Sequence, residues 1–264
     1  MYDFTYRKPA SVKDATTALK DAEDGKLLAG GMSLLPTLKF RLNKPSDLID
    51  LGTIAELKGI KVEGSNIVIG AMTTHATVSR SADVKAKIPA LAYLAGHIGD
   101  PAVRNRGTIG GSISNNDPAA DYPSSILALG ATVITDQRKI EGDAFFTGMF
   151  ETALQPGEMV TAVSFPTPER AAYMKFPNPA SRFAMVGVFV AKGPKGVRIA
   201  VTGAAPCVFR HTEMEKALEK KWAPESVANI KVSDDGLNSD IHASAEYRAH
   251  LITVMAKRAV AACA

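Results

Sequence analysis

With 264 residues, 46% of them hydrophobic and 22% charged, the chain exceeds one average domain and has the balance of a folded globule, which excludes a disordered or fibrous protein. The net charge of +4 is spread along the chain, densest at Lys216, Lys220 and Lys221 on a predicted helix, and only 6% of residues are aromatic; that is not the basic, ring-interleaved pattern of a nucleic-acid binder. Two cysteines, Cys207 and Cys263, cannot supply a disulfide framework, a zinc knuckle or the four thiolates of an iron–sulfur cluster, so any such centre has to come from a partner.

The N-terminal stretch MYDFTYRKPASV has no apolar signal core, and no run approaches the ~20 apolar residues that cross a bilayer, giving the expectation of a soluble cytoplasmic protein. Ser11 is placed to N-cap a helix in which Val12, Ala15, Ala18, Leu19 and Ala22 recur at helical spacing until Asp24-Gly25 ends it. KLLAG then reads as a short strand running into a glycine turn. Ser33 caps a short helix carrying Leu34, Leu35 and Leu38, with Pro36 tolerated in its first turn.

From DLIDLG onward the pattern turns to alternation, with Ile60 and Val62, a turn at EGSN, and Ile67 and Ile69 forming a hairpin that runs into GAMTTHATVS. Ile88 to His97 reads as a compact apolar helix. A glycine-rich stretch follows, then a helix from Tyr122 to Leu129 and strands around ATVIT and EMVTAVSF. FPTPER is the expected linker, because its two prolines bar helix and inner strand alike. Beyond it, FAMVGVFVAK and GVRIAVTGAA read as a long hairpin over a Gly-Pro-Lys-Gly turn, followed by helices at TEMEKALEKKW and SAEYRAHLITVMAKRAVAA. Helices mixed with hairpins predict an α+β fold. The expected division is 1–167, with subdomains of about 1–53 and 54–167, and 168–264.

Two small-residue stretches carry the chemistry: AGGMSLLP, from Ala29 to Pro36, and GTIGGSISNNDP, from Gly107 to Pro118. A phosphate held without metal needs backbone N–H groups aimed at it, and glycine lets them approach because no Cβ intervenes. A loop that feeds a helix N-terminus adds unpaired N–H groups and the helix dipole. Ser33 in one stretch, and Ser112, Ser114, Asn115 and Asn116 in the other, add hydroxyl and amide groups for phosphate oxygens or sugar-like hydroxyls. The plainer reading of either Gly-Gly pair is a tight turn; two such pairs, each followed by polar side chains, favour a double clamp on a diphosphate. Neither GxGxxG nor GxxxxGK[ST] is present, which argues against a Rossmann domain and a P-loop.

Asp117 and Asp121 would repel phosphate and are expected to face sugar hydroxyls or other polar atoms of the ligand, with N-capping of the Tyr122 helix the alternative for Asp121. The five histidines, His75, His97, His211, His242 and His250, lack metal-ligand spacing and are expected at surface or capping positions.

In these motifs the chain resembles the FAD-binding medium subunit of the molybdenum hydroxylases, the group of carbon monoxide dehydrogenase and the xanthine dehydrogenase relatives. AGGMSLLPTLKFRL is similar to the family's first flavin loop, IGAMTTH to its middle segment and IGDPAVRNRGTIGGSISNNDPAADYP to its second loop, in the family's order. The resemblance implies a vanillyl-alcohol-oxidase (PCMH)-type FAD-binding fold of two α+β subdomains, plus a C-terminal three-stranded antiparallel sheet with helices. It implies non-covalent FAD, with Ala29, Gly30, Gly31, Met32, Ser33 and Leu34 along the diphosphate and Thr108, Gly110, Gly111, Ser114 and Asp117 completing the clamp. By the same resemblance Asp121 reaches a sugar or ribityl hydroxyl, and Lys175 and Phe183 approach the isoalloxazine. From the residues alone, Lys175 reads equally as a solvated strand-edge lysine and Phe183 as a core ring. Met32 and Phe183 stand where the family commonly has His or Gln and Tyr, so each removes a hydrogen-bonding group beside the cofactor.

The function implied is electron transfer in a heteromeric molybdenum hydroxylase, from [2Fe-2S] clusters of a small partner subunit through FAD to an external acceptor. Substrate is then oxidised at the molybdenum cofactor of a large partner subunit, in an assembly expected to be a dimer of heterotrimers. Two alternatives stand beside it. One is a stand-alone FAD-dependent oxidoreductase of the same fold, which needs its own proton donor over the flavin; the other is a non-catalytic nucleotide-binding module.

Overall fold

A computed structural model describes residues 1–263. Its first unit is a parallel three-stranded sheet. Strand β1 (Thr5–Arg7) leads through helix α1 (Val12–Asp21) to β2 (Gly25–Leu28), and helix α2 (Leu34–Lys39) leads on to β3 (Asp47–Asp50), which lies between the other two. Ser11 caps α1 as expected, its Oγ accepting the Asp14 amide at 3.1 Å. Parallel neighbours require crossovers, and the two helices are those crossovers. The sequence does not announce β1, whose three residues are all exposed and carry no alternation. Buried Ala15, Ile49, Leu51, Ile54 and Leu57 close a small core beneath this sheet, joined by Met72 and Met159 from the next unit.

The second unit is built on a five-stranded antiparallel sheet. The EGSN hairpin forms from β4 (Ile60–Glu63) and β5 (Asn66–Gly70). Four short helices follow: α3 (His75–Arg80), α4 (Ala82–Lys87), α5 (Pro89–Gly96) and α6 (Pro101–Arg106). The glycine-rich stretch that reads as a loop is itself a helix, α7 (Ile109–Asn115). Ile109 and Ile113, four residues apart, are both buried on one face, and Thr108 caps the N-terminus by accepting the Gly111 amide. Apolar burial at i and i+4 with a cap outweighs the glycine penalty over so short a run. Helix α8 (Tyr122–Ala128), strands β6 (Thr132–Thr135) and β7 (Lys139–Glu141), the turn α9 (Gly142–Phe145) and a small ribbon of β8 (Phe146–Gly148) and β9 (Glu151–Thr152) lead to β10 (Val160–Pro166). The sheet order is β4-β5-β10-β6-β7.

The C-terminal sheet has four antiparallel strands rather than three: β11 (Arg170–Pro177), β12 (Ala184–Gly193), β13 (Gly196–Thr202) and the two-residue β14 (Phe209–Arg210). β14 is too short to leave a periodic signal. Successive side chains of β12 point to opposite faces: Phe189 and Ala191 join the main core with α8, whereas Val186, Val188 and Val190 join a second core under α10 (Thr212–Lys220), α11 (Pro224–Ala228) and α12 (Ala245–Ala262). The uninterrupted apolar run of this strand is the signature of a sheet covered on both sides. No helix among the described residues is long and apolar enough to cross a membrane.

Candidate dinucleotide-binding cleft

A cleft of about 490 Å³, within the range of cofactor pockets, opens where the three units meet. All six residues from Ala29 to Leu34 line it, as do Thr108, Gly110, Gly111, Ser114, Asp117, Asp121 and Phe183. Met32 and Phe183 stand at exposed positions. Lys175 is not in its wall.

The glycine pairs differ in what their amides do. Beyond β2 the chain turns through Gly31 at φ +74°, a left-handed conformation that glycine adopts at little cost, and enters α2. Among the described residues no acceptor engages the amides of Gly30, Gly31, Met32, Ser33 and Leu34, and the first internal bond of α2 is Leu35 N–H to Gly31 O at 3.1 Å. Ser33 occupies the N-cap position but its hydroxyl caps nothing. The expectation of a serine cap therefore fails, and both hydroxyl and amides are left for a ligand.

In the second stretch the amides are spent internally. Gly110 N–H donates to Ala71 O at 2.8 Å, Ile109 N–H to Thr73 O at 3.1 Å and Gly111 N–H to Thr108 Oγ1 at 3.1 Å. Its glycines serve close packing instead. A Cβ on Gly110 would lie 2.8 Å from Ala71 O, and one on Gly111 would lie 3.3 Å from Ala29 Cβ. A Cβ on Gly30 would collide with the Arg106 carbonyl. The glycines thus let the two stretches abut, and of the two it is the first that presents a row of N–H groups free of acceptors among the described residues. Asn116 leaves the cleft altogether: it C-caps α7 at φ +43°, and its Nδ2 donates to Gly148 O at 2.8 Å and Glu151 O at 2.7 Å. Asp117 stays in the wall, with Oδ1 accepting the Ala119 amide at 2.8 Å.

Asp121 heads a buried cluster. Its Oδ1 accepts from the Tyr173 hydroxyl at 2.5 Å, and Lys175 Nζ lies 2.9 Å from Oδ1 and 3.1 Å from Oδ2. The carboxylate does not cap α8. Burial pushes its pKa up, against the pull of the Lys175 charge and the Tyr173 hydrogen bond. Lys175 is not solvated: its side chain is 7% exposed and also reaches His97 O at 3.1 Å. A pair of strand residues from the C-terminal sheet thereby fixes a cleft-lining carboxylate of the second unit.

Glu158, also in the wall, is saturated by Arg138, the Thr135 hydroxyl at 2.7 Å and the Gln155 amide at 2.8 Å. The Arg138 hydrogen bond leads in holding its pKa down to about 2, so it is ionised and has no proton to donate near neutrality. The histidine expectation holds in part: His211 caps α10 and His97 ends α5, but His75 is buried in the cleft wall with Nδ1 unpartnered. Burial first, then the Arg104 charge, lowers its pKa to about 4. No periodicity signals such a residue; its place at the start of α3, against Gly107, arises only from the fold. No group of His, Cys, Asp and Glu among the described residues could hold a metal ion.

A family model described as the FAD binding domain in molybdopterin dehydrogenase matches residues 2–168, and one described as the CO dehydrogenase flavoprotein C-terminal domain matches residues 171–263. The nicotine 6-hydroxylase medium subunit of Paenarthrobacter nicotinovorans is 36% identical over 97% of this chain and 95% of that relative. The carbon monoxide dehydrogenase medium chain of Hydrogenophaga pseudoflava is also 36% identical, over 97% and 96%. A solved structure of carbon monoxide dehydrogenase from Hydrogenophaga pseudoflava superposes with a TM-score of 0.92 at 37% identity, covering 98% of this chain and 96% of its counterpart. For quinoline 2-oxidoreductase from Pseudomonas putida 86 the TM-score is 0.89 at 29% identity, with 99% and 96% covered.

Proposed function

Since the chain belongs to the FAD-binding subunits of the molybdopterin dehydrogenases, we propose that it works as the electron-transfer subunit of a heteromeric molybdenum hydroxylase. Its FAD passes electrons from iron–sulfur clusters of a small partner to an external acceptor. In this reading residues 1–167 bind FAD and residues 168–264 form the C-terminal flavoprotein domain. The partners are a small iron–sulfur subunit and a large molybdenum-cofactor subunit, assembled as a dimer of heterotrimers. The medium-subunit and medium-chain relatives support this division, as does a chain with too few cysteines to hold a cluster of its own.

The observation that carries the reading is the row of free amides from Gly30 to Leu34 along the cleft. Five N–H groups and the unused Ser33 hydroxyl offer a phosphate bridge hydrogen bonds without metal or added charge. Ser112, Ser114 and Asn115 supply further polar groups in the lining, and Asp121, held by Tyr173 and Lys175, orients hydroxyls. Met32, Met72, Met159 and Phe183 provide polarizable apolar contact for ring systems. Bound FAD supplies a carrier that takes electrons singly and gives them up in pairs; the protein fixes the ring, shields it and tunes it. The saturated, ionised Glu158 offers no proton donor of the kind a stand-alone reductase requires.

The test is purification of the full chain, alone and with co-expressed partners. Yellow, acid-releasable FAD in stoichiometric amount is expected. A folded, colourless chain that does not take up added FAD contradicts the proposal and favours a non-catalytic module.

A further inference from the structure

Resting on the flavin reading, we infer that His75 is a cofactor-contacting residue, an uncharged imidazole that hydrogen-bonds bound FAD at the seam of the two glycine stretches. His75 is 4% exposed, lines the cleft, and its Nδ1 is buried with no partner. A buried, unpaired imidazole is costly, because each ring nitrogen stripped of water without a partner loses its hydrogen bond. Nδ1 is closed off by the protein. The ring edge bearing Nε2 lies against Gly107, where an added Cβ would come within 2.6 Å of Nε2, and Gly107 lines the same cleft. Nε2, unlike Nδ1, is not sealed, and on this cleft-lining ring it is the nitrogen a ligand can reach.

The surroundings hold that ring still and neutral. Its backbone amide donates to Gly107 O at 3.0 Å, and Thr74 and Thr108 form the adjoining antiparallel bridge. Behind it stands Tyr122, with ring centroids 5.4 Å apart and a buried hydroxyl that is also unpartnered. Gly30 packs on the Arg106–Gly107 backbone from the first stretch, so the imidazole sits beneath the point where the free-amide loop meets its support. Burial and the nearby Arg104 guanidinium both disfavour the imidazolium. A neutral imidazole carries one donor and one acceptor, which suits a ligand atom of either kind without adding charge beside the ring system. Leucine at this place would fill the space and offer neither.

The experiment uses the full chain labelled with ¹⁵N-histidine, assigned by the His75→Gln variant and titrated with FAD while flavin fluorescence is followed. At pH 6 the His75 ring nitrogens are expected to show the neutral pattern and to shift on FAD addition, while those of exposed His242 and His250 stay in place. His75→Leu is expected to weaken FAD binding by about tenfold, and His75→Gln, which keeps a neutral hydrogen-bonding group, by no more than about threefold. Should the leucine variant fail to fold, the wild-type spectra decide alone. A wild-type chain that binds FAD with unmoved His75 signals overturns this contact and leaves the cofactor reading standing. A folded wild-type chain that binds no FAD contradicts the cofactor reading itself.

Discussion

Gly30-Gly31 and Gly110-Gly111 look interchangeable as text, each a pair of glycines with serine close behind, yet in the fold their amides have opposite fates. Those of the first pair and of the next three residues have no acceptor among the described residues and belong to residues that line the cleft; those of the second are consumed by Ala71 and Thr108. Gly31 takes a positive φ, and Gly110 leaves room for the Ala71 backbone. One stretch presents hydrogen-bond donors and the other builds the wall they are presented from. In place of the expected two rows of free backbone amides, the fold has one, set on a stretch whose own amides are paired.

That contrast can be broken from the second side with the largest effects. Asp121→Asn leaves the Lys175 ammonium buried without its counter-charge, and a loss of about 3 kcal/mol or more is expected in denaturant unfolding of the flavin-free chain. An unchanged unfolding midpoint would show that the cluster is not structural. Gly110→Ala forces a methyl against the Ala71 backbone and should cost about 2 kcal/mol, with the melting temperature and FAD uptake falling together.

Next in size is a pH effect. The His75 pKa is about 4 in the folded chain, below its ordinary value, so the unfolded state binds the proton more readily. Its contribution to stability is complete above about pH 6.5 and is lost as pH falls from there toward 4. Roughly 2 kcal/mol of acid destabilisation in that window is expected, and His75→Gln should flatten it; a variant with the same slope as wild type would assign the effect elsewhere. Glu158, held down at about 2, adds a second loss at lower pH, as the solution falls below its unfolded value toward 2. The smallest effect sharpens the contrast from the first side. Ser33→Ala removes a hydroxyl that caps nothing, so stability should stay within about 0.5 kcal/mol while FAD affinity falls.

Much of this architecture was legible in the sequence where a period was long enough to read. The Ser11-capped helix, the EGSN hairpin, the Ile88 helix and the long C-terminal hairpin stand where their patterns place them. Short elements were not legible. β1 and β14 span three and two residues, and α7 was hidden because glycine content outweighed the Ile109–Ile113 spacing. At the site, the positions of residues were readable from motifs, but the occupancy of their hydrogen bonds was not. Asn116 turned toward the β8–β9 ribbon and Lys175 toward Asp121 because of chain segments distant in sequence. His75 is buried where a surface or capping position is expected, because burial of a lone histidine is decided by tertiary packing, which no local spacing encodes.

In the proposed function, FAD is gripped by the main-chain amides of Gly30 to Leu34. Amide hydrogen exchange of the full chain, with and without saturating FAD, tests it most directly. Residues 30–34 are expected to exchange rapidly in the flavin-free chain and to become protected on FAD binding, while Ile109, Gly110 and Gly111 are protected in both states. Rapid exchange at 30–34 that persists with FAD bound, together with protection gained at 109–111, would contradict it.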